Sequence, residues 1–327
     1  MRLLVLGGTQ LLGSAVVRTA LDSGWDVTTL TRGRHGTPPP PVDARFGDRN
    51  TTAGLDALGD DEWDVCVDTS GFVPAHVRLG AERLAGRVGR YVFVSTVNVY
   101  PDWPDKPLGP GSPVSDCPPD AGPDDGSYGY LKSGCERAVL AAFPDATTIN
   151  RSGLIFGPQD NIARVSWWVN RVAEGGEVLA PGRADQAMAL IDSRDMAEWM
   201  LTAPPGVFNV NSRPGTQTFG SLLATAREVT GSDARFTWVD DQVLLDAGVE
   251  PWTEMPLWLP TAGHAWDMGV SGAYETGLRI RPLAESLADV WEWVREHGLP
   301  TGEGAERATE QEKRLTRSRE REILDNL

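Results

Sequence analysis

The chain has 327 residues, 40% of them hydrophobic and 23% charged, which is typical of a soluble globular protein. Its formal net charge of −16 argues against binding to nucleic acids or to anionic membranes. Cys66, Cys117 and Cys135 have neither disulfide-framework nor zinc-ligand spacing, and the apolar run Leu3–Leu6 is too short for a signal peptide or a membrane span. We therefore expect a cytoplasmic protein without a metal site.

The N-terminal residues predict a β-α-β unit. Leu3–Leu6 is a continuous apolar run that predicts a buried parallel strand. Apolar residues at helical spacing follow over residues 11–21, and Trp25–Leu30 predicts a second strand. A unit of this kind is the first building block of a dinucleotide-binding domain.

A glycine-rich turn joins the first strand to the first helix. A dinucleotide-binding pattern would have three glycines there, but this chain has Gly7, Gln10 and Gly13, so the middle glycine is missing. The context still predicts N–H groups at the helix start that bind a pyrophosphate. The alternative is a strand-to-helix turn that binds no ligand. The predicted cofactor contacts in this turn are Gly7, Thr9, Gln10, Leu11, Leu12 and Gly13.

Three further strands are predicted at Ala44–Phe46, Trp63–Asp68 and Tyr91–Val94. Ligands of open α/β sheets bind at the carboxyl ends of the strands, so the residues that follow these strands should meet in one crevice. The predicted cofactor contacts after the third and fourth strands are Asp48, Arg49, Thr69, Ser70 and Gly71.

The end of the second strand indicates the type of cofactor. An NAD site usually has Asp or Glu there, which binds the ribose hydroxyls. This chain has Thr31 followed by Arg32, and Arg34 lies two residues further on. Because an arginine suits a 2′-phosphate, NADP(H) is favoured as the cofactor, and NAD(H) stays the alternative.

Tyr128 and Lys132 are the candidate catalytic pair. The chain has five tyrosines, and only Tyr128 has a lysine four residues later. A helix predicted over residues 128–143 places the two side chains on one face. A cation beside a phenol favours the phenolate, which makes the tyrosine usable as an acid/base. The alternative is an aromatic residue and a solvated lysine that share helical spacing by chance.

The remaining sequence contains a long loop and a charged tail. Residues 101–126 are rich in Pro, Asp and Gly and predict a loop that acts as a flap over the site. The tail from Gly302 is charged, with Glu310 and Arg314 at i,i+4 spacing, which predicts a solvated or partner-contacting helix. Further strands are predicted at 147–150 and 207–210, and further helices at 162–173, 219–229 and 283–294.

Taken in order, these motifs resemble those of the extended short-chain dehydrogenase/reductases, the NAD-dependent epimerase/dehydratase family. The resemblance implies an α/β fold: a Rossmann-type doubly wound parallel sheet with a smaller C-terminal α+β substrate lobe, often as a homodimer. The cofactor-binding core would span 1–160 with contributions from about 187–212, the substrate lobe 161–300, and the charged helical tail 301–327. The matching stretches are Gly7 to Gly13, Asp48, Val94 to Tyr100, Tyr128 to Lys132, Arg151 to Pro158 and Asp192 to Ala197.

The resemblance also implies catalytic roles. Tyr128 would exchange a proton with the substrate oxygen, and Lys132 would lower the Tyr128 pKa and bind the nicotinamide ribose. The family's active hydroxyl lies four residues before a tyrosine, here Tyr100, so the role falls on Thr96 rather than Ser95. Its hydroxyl would polarise the substrate oxygen, while the cofactor carries the redox chemistry.

The segment after Thr96 narrows the reaction. Sugar-nucleotide 4,6-dehydratases have an acidic pair there, whereas this chain has Val97 and Asn98, and neither can act as a general acid or base. The pattern disfavours 4,6-dehydration and predicts NAD(P)-dependent reduction or epimerisation of a small molecule, such as a nucleotide-sugar or a natural-product intermediate. Candidate substrate contacts are Asn98, Arg151 and Arg194; other arginines that could clamp a diphosphate are Arg164, Arg171, Arg183 and Arg213.

Two other functions compete with this prediction. A catalytically inactive NAD(P)-binding regulator is compatible with Gln10, although the set Thr96, Tyr128 and Lys132 argues against it. An RNA-associated protein is the other, because some chloroplast RNA-binding relatives resemble this chain in replacing the middle glycine. The net charge of −16 argues against RNA as a partner.

Overall fold

The computed structural model describes residues 1–38, 40–260, 263–299 and 313–327. The chain forms two compact units. Unit 1 comprises Met1–Ile155, Ser193–Asn211 and Asp267–Ile280, and unit 2 comprises Phe156–Asp192, Ser212–Trp266 and Arg281–Leu327. The expected core spans 1–160 with contributions from about 187–212. Unit 1 contains two corresponding parts and also a third, Asp267–Ile280, which lies inside the expected substrate lobe of 161–300.

The strands and helices are numbered along the chain. The strands are β1 (Arg2–Leu6), β2 (Asp26–Thr31), β3 (Asp43–Phe46), β4 (Trp63–Asp68), β5 (Val88–Thr96), β6 (Thr147–Ser152), β7 (Leu154–Phe156), β8 (Glu177–Pro181), β9 (Ala187–Met188), β10 (Leu190–Asp192), β11 (Gly206–Val210), β12 (Gln217–Thr218) and β13 (Arg235–Val239). The helices are α1 (Leu11–Asp22), α2 (Thr52–Leu55), α3 (Pro74–Leu84), α4 (Tyr128–Ala142), α5 (Val165–Ala173), α6 (Ser193–Thr202), α7 (Phe219–Thr230), α8 (Asp241–Asp246), α9 (Ser271–Glu275), α10 (Leu283–His297) and α11 (Arg317–Asp325).

The sheet of unit 1 has seven strands in the order β11-β6-β5-β4-β1-β2-β3. All of the pairings are parallel. The strand order reverses between β1 and β4, as in a doubly wound Rossmann sheet, so the predicted fold class is confirmed. The carboxyl ends of β1, β4 and β5 lie side by side, and the glycine turn, the segment 69–71 and Thr96 lie on these ends.

The core of unit 1 follows from its parallel strands. Helices cover such a sheet on both faces, so its strands are apolar along most of their length rather than alternating. One fully buried cluster joins Leu4, Cys66, Tyr91 and Phe93 of the sheet to Val77 and Cys135 of α3 and α4. The three cysteines are buried and free.

Several element limits differ from the sequence prediction by up to three residues, and β5 and α5 are two of them. The fifth strand, β5, extends from Val88 to Thr96, so Thr96 is its last residue rather than part of the following turn. The helix predicted at 162–173 begins at Val165, because Ala163 has a positive φ of 57° that is incompatible with a right-handed helix.

The segment 101–126 is a loop of unit 1 that packs against other parts of the same unit. Its Ser115 amide donates to the Val99 carbonyl at 2.9 Å, and the Ala75 amide of α3 donates to the Ala121 carbonyl at 3.1 Å. Cys117 and Ala121 are buried against Leu131 of α4. The loop is therefore anchored on α3 and α4, and its role as a flap stays a prediction.

Unit 2 is held together by helices α5, α7 and α10 and by the parallel pair β8–β13. Trp168 of α5 and Phe219 of α7 pack edge to face, with ring centroids 5.2 Å apart. This contact places two large rings in the core of the unit, where aromatic pairs contribute more than their buried area alone.

The C-terminal tail differs from the expected solvated helix. Glu320 and Ile323 of α11 are buried, and the Glu320 carboxylate accepts from Arg171 Nε at 2.8 Å and from the Leu179 amide at 3.0 Å. Arg314 donates to the Trp252 carbonyl at 3.0 Å. The end of the tail therefore belongs to the core of unit 2. The proposed partner of Arg314 in an i,i+4 pair, Glu310, lies outside the described residues.

Candidate active site

The turn between β1 and α1 needs glycine at positions 7, 8 and 13. Gly7 and Gly8 have φ angles of +114° and +110°, which favour glycine. A Cβ atom on Gly13 would lie 2.6 Å from the Gly8 nitrogen, and one on Gly7 would lie 2.4 Å from Thr69 Oγ1. The turn therefore brings α1 and the end of β4 close to the backbone of β1. This is the cradle that a pyrophosphate needs.

Gln10 fits the turn in place of the missing middle glycine. It precedes α1 with φ −118° and ψ 166°, an extended conformation that any residue adopts. Its side chain makes no capping hydrogen bond to the first turn of α1 in the described structure, which leaves those N–H groups to a ligand or water. Thr9 and Gln10 are half-buried, whereas Leu11 and Leu12 are buried. The residues present thus fit a dinucleotide.

The turn after β4 is tied to β1 by hydroxyl groups. Thr69 Oγ1 and Ser70 Oγ donate to the Leu6 carbonyl at 3.1 and 3.0 Å. Gly71 follows with no room for a side chain, because a Cβ atom there would lie 2.7 Å from both Phe93 and Val77. These contacts fix the Gly71 carbonyl, which faces α4.

Arg49, expected to contact the cofactor, is instead part of the core. Its Nη1 donates to both carboxylate oxygens of Asp68 at 2.6 Å, and the Tyr91 hydroxyl donates to the same carboxylate at 2.8 Å. Burial lowers the pKa of Arg49, but the charge of Asp68, its hydrogen bond to Arg49 and the neighbouring Tyr91 and Cys66 together raise the pKa overall. The Ser70 amide also donates to Asp68, at 3.0 Å. Arg49 therefore neutralises a buried carboxylate that supports the β4 turn.

The two other residues predicted for the adenosine half of a cofactor lie at neighbouring strand ends. Arg32 directly follows β2 and is exposed. Asp48 follows β3, is half-buried, and accepts a hydrogen bond from the Asn50 amide at 3.0 Å. Because β2 and β3 are paired in the sheet, both residues stand at the same edge as the glycine turn.

Tyr128 and Lys132 lie one helical turn apart at the start of α4. Tyr128 is the first residue of the helix and is 50% exposed, whereas Lys132 is 3% exposed. Lys132 Nζ donates to the carbonyls of Gly71 and Val94 at 2.7 and 2.6 Å. It also lies 4.2 Å from the Phe93 ring centroid. Burial lowers the pKa of Lys132 to about 8. The lysine is therefore fixed by the sheet and is not a solvated side chain.

Ser95 and Thr96 make different contacts, as the alternation of side chains along a strand requires. The Ser95 hydroxyl donates to Glu136 Oε1 at 2.5 Å inside the protein. The Thr96 hydroxyl donates to Asn98 Oδ1 at 3.0 Å, and Asn98 is exposed. Of these two residues, Thr96 is the last of β5 and lies at the carboxyl end of the sheet.

Gly129 lets the start of α4 pack on the turn after Thr96. A Cβ atom on Gly129 would lie 1.9 Å from the Asn98 carbonyl oxygen, so the first turn of α4 rests directly on the turn that follows Thr96. The structure thus brings the ends of β4 and β5 together with the start of α4. The three predicted catalytic residues, Thr96, Tyr128 and Lys132, lie on these segments.

Arg151, expected to contact the substrate, is engaged inside the protein. Its guanidinium donates to Glu136 from Nη2 at 2.6 Å and from Nε at 2.9 Å, and Nη1 donates to the Tyr100 hydroxyl at 3.1 Å. Burial lowers the pKa of Arg151, but Glu136 offsets this and raises it overall. The Tyr100 hydroxyl in turn donates to Asn209 at 2.6 Å. We therefore assign Arg151 to the support of the site.

Sequence reasoning missed Glu136, although a signal was present. Glu136 lies four residues after Lys132 and eight after Tyr128, and therefore on the same face of α4.

Among the other arginines considered for a substrate diphosphate, Arg171 pairs with Glu320 and Arg183 pairs with Asp185. Arg194 is half-buried in α6.

Two further observations concern the described residues as a set. No group of three or more His, Cys, Asp or Glu side chains is arranged to hold a metal ion in this part of the chain. The helices of the same part are too short or too polar to cross a membrane.

Comparison with known proteins gives one family. Residues 3–210 match the model of the NAD dependent epimerase/dehydratase family. No curated protein sequence matches the chain.

Solved structures share the fold at low sequence identity. An enzyme of Bordetella bronchiseptica, WbmH in complex with NAD⁺, has a TM-score of 0.66 at 17% identity, over 91% of this chain and 99% of that one. The UDP-glucose 4-epimerase of Thermotoga maritima with UDP-glucose gives 0.65 at 17% identity, over 90% and 99%. The UDP-glucuronic acid 4-epimerase of Bacillus cereus with NAD gives 0.66 at 14% identity, over 91% and 100%.

Proposed function

Because the chain belongs to the NAD-dependent epimerase/dehydratase family, we propose that it transfers hydride between a nicotinamide cofactor and a secondary alcohol or ketone, with Tyr128 as the acid/base. One observation supports this more than any other. An exposed tyrosine at the start of α4 lies one turn from a buried lysine, and Gly129 seats this helix on the turn after Thr96. This is the set of groups that hydride transfer at a carbinol carbon needs.

In this proposal the chain's own residues bind, orient and move a proton. The glycine turn and the start of α1 hold the pyrophosphate, and Arg32 and Asp48 hold the adenosine half. A bound nicotinamide supplies the hydride acceptor or donor. Tyr128 Oη takes the proton from the substrate hydroxyl during oxidation and returns it during reduction. The Lys132 ammonium favours the phenolate, and the Thr96 hydroxyl donates a hydrogen bond to the substrate oxygen.

We propose reduction or epimerisation rather than 4,6-dehydration. Water elimination needs an acid and a base beside the oxidised carbon, whereas Val97 is a buried apolar residue and Asn98 carries an amide. A nucleotide-sugar is the first substrate class to test, since the Thermotoga maritima and Bacillus cereus relatives are named for UDP-sugars. A natural-product intermediate is the second.

The direct test is a panel assay. NADPH and NADH are offered with UDP-glucose, UDP-glucuronic acid and simple ketones, and NADP⁺ and NAD⁺ are offered with the UDP-sugars and simple secondary alcohols. Cofactor absorbance and sugar products are followed. We expect cofactor-dependent conversion that falls at least about a hundredfold in Tyr128→Phe. Tyr130→Phe is the matched control, because Tyr130 is on the same helix and its hydroxyl donates to the Asp116 carbonyl, at 3.3 Å. Failure to bind either cofactor in calorimetry would refute the proposal.

We further propose that NADP(H) binds more tightly than NAD(H). The support is the exposed Arg32 directly after β2, where a ribose-binding carboxylate would stand in an NAD site. Removing one charge-assisted contact costs about 1.5–3 kcal/mol, so Arg32→Ala should weaken NADPH binding by roughly tenfold or more and leave NADH binding nearly unchanged. Arg235→Ala, an exposed arginine of unit 2, is the control. Tighter binding of NADH by the wild type would reverse this assignment.

A homodimer in the cytoplasm completes the proposal. Its support is the family resemblance. Light scattering at twice the mass of the chain is the expected result, and a monomer at high protein concentration would contradict it.

A further inference from the structure

Phe72 is a half-exposed phenylalanine at the candidate active site, and the proton transfers assigned to Tyr128 do not use it. Its side chain is 49% exposed. Its ring centroid lies 6.4 Å from that of Tyr128, and the two rings are tilted by 39°. Two large exposed rings therefore lie side by side where the reacting atoms must come. Single exposed apolar residues need no explanation, but an aromatic pair at a catalytic edge does.

The backbone around Phe72 is held from both sides. Gly71 before it is packed against Phe93 and Val77, and its carbonyl accepts from Lys132 Nζ at 2.7 Å. After it, Pro74 begins α3 with the fixed φ of a proline. The exposed ring is therefore presented by a fixed segment of the fold.

A cation lies over one face of the Phe72 ring. It is Lys132 Nζ, 5.3 Å from the ring centroid. A cation over an aromatic face is attracted by its negative potential, so this face is occupied within the protein. The exposed half of Phe72 is therefore the opposite face and the edge, next to the Tyr128 ring.

We propose that Phe72 is a specificity-determining residue whose exposed face is the platform for a substrate ring, so that the enzyme favours secondary alcohols or ketones carried on a ring over those on an open chain. This inference rests on the proposed hydride transfer. A ring places a flat array of C–H bonds against an aromatic face and loses no internal rotation on binding. An open chain must fix several torsions to make the same contact, so its binding costs more conformational entropy. Contact with Phe72 also keeps the reacting oxygen beside Tyr128.

The test compares two six-carbon ketones, cyclohexanone and 3-hexanone, at saturating NADPH and NADH. Each reduction takes one hydride from the cofactor and one proton, and yields the secondary alcohol. The measured quantity is the ratio of kcat/KM for the ring ketone to that for the open-chain ketone. We expect the wild type to favour cyclohexanone and Phe72→Ala to lower the ratio by roughly fivefold to tenfold. Phe72→Tyr, which keeps the aromatic face, should retain the ratio.

Controls separate this inference from general damage and from the proposed function. A merely structural role for Phe72 would lower both kcat/KM values equally and leave their ratio unchanged, which would overturn the inference. Phe46→Ala removes another phenylalanine of similar exposure, 53%, and should leave the ratio unchanged. A wild type that prefers 3-hexanone, or that reduces neither ketone, would also overturn the inference. Turnover that does not depend on Tyr128 would refute the proposed function instead.

Discussion

Thr96 and Ser95 are adjacent in β5, and their hydroxyls make different contacts. The Ser95 hydroxyl donates to Glu136, which is buried and paired with Arg151. The Thr96 hydroxyl donates to Asn98 at the carboxyl end of the sheet. Side chains of a strand alternate between its faces, so two adjacent hydroxyls cannot serve the same site. This arrangement supports the assignment of the substrate-polarising hydroxyl to Thr96, which is proposed from the sequence resemblance.

Thr96→Val tests that assignment. Valine keeps the shape and removes the hydroxyl, and loss of one preorganised donor to a reacting oxygen costs about a hundredfold or more in kcat. Thr96→Ser keeps the hydroxyl and should retain most of the activity. The measurement is steady-state turnover with the substrate that the panel identifies. Equal kcat values for the two variants would remove Thr96 from the mechanism.

Lys132 predicts a dependence of stability on pH. Burial lowers its pKa to about 8 in the folded protein. An unfolded lysine titrates near 10.4, so between about pH 8 and about pH 10.4 the unfolded chain binds more protons than the folded one, and raising the pH stabilises the fold. Below this window the lysine is protonated in both states, and the cost of burying its charge is fully present.

The comparison uses urea unfolding of the cofactor-free wild type and Lys132→Met. The unfolding free energy of the wild type relative to the variant should rise across this window by on the order of 2–3 kcal/mol. Lys106→Met, which removes an exposed lysine, gives the baseline. A relative stability that falls as the pH rises would contradict the buried environment of Lys132.

At the scale of elements, the position of the first turn of α4 depends on Gly129. A Cβ atom at this position would lie 1.9 Å from the Asn98 carbonyl oxygen, a contact that the backbone cannot accommodate without a shift. Gly129→Ala should therefore move the first turn of α4 and Tyr128 with it. We expect a loss of kcat of about tenfold or more, because displacements of about 1 Å at a reacting group have effects of this size. Gly111→Ala, with open space around it, is the control. An unchanged kcat in Gly129→Ala would contradict the contact.

The Glu136–Arg151 pair joins β5, α4 and β6 beneath the site. Both side chains are buried, and removal of one partner leaves an uncompensated charge. Arg151→Met should lower the free energy of unfolding by about 3–5 kcal/mol. Arg183→Met breaks an exposed pair with Asp185 and should cost less than about 1 kcal/mol. Thermal or urea unfolding measures both. Similar losses in the two variants would contradict a buried, supporting role for Arg151.

The same residues show what could be predicted from the sequence. The strands of the parallel sheet and the glycine turn are encoded locally, in apolar runs and in glycines that the backbone requires, so these elements were predictable. The partners of Arg49 and Arg151 were not. Asp68 and Glu136 lie 19 and 15 residues away, and only the folded topology makes them neighbours. An arginine that neutralises a buried carboxylate has the same sequence signature as one that binds a ligand.

At the scale of the whole molecule, the tail illustrates the same limit. The charged composition of the tail predicts a solvated or partner-contacting helix, yet Glu320 of α11 is buried because Arg171 of unit 2 pairs with it. The return of Asp267–Ile280 to unit 1 is equally hidden in the sequence. Long-range pairing decides both features, whereas composition reports only the average environment of a segment.

The central claim is hydride transfer with Tyr128 as the acid/base, and deuterium transfer tests it most directly. The wild type and Tyr128→Phe are each given cofactor deuterated at the reactive carbon of the nicotinamide, together with a ketone that the wild type converts, and the product is analysed by mass spectrometry. We expect one deuterium at the carbinol carbon with the wild type, and almost none with Tyr128→Phe although that variant binds the cofactor with unchanged affinity. Undiminished transfer by Tyr128→Phe, or product without deuterium from the wild type, would contradict it.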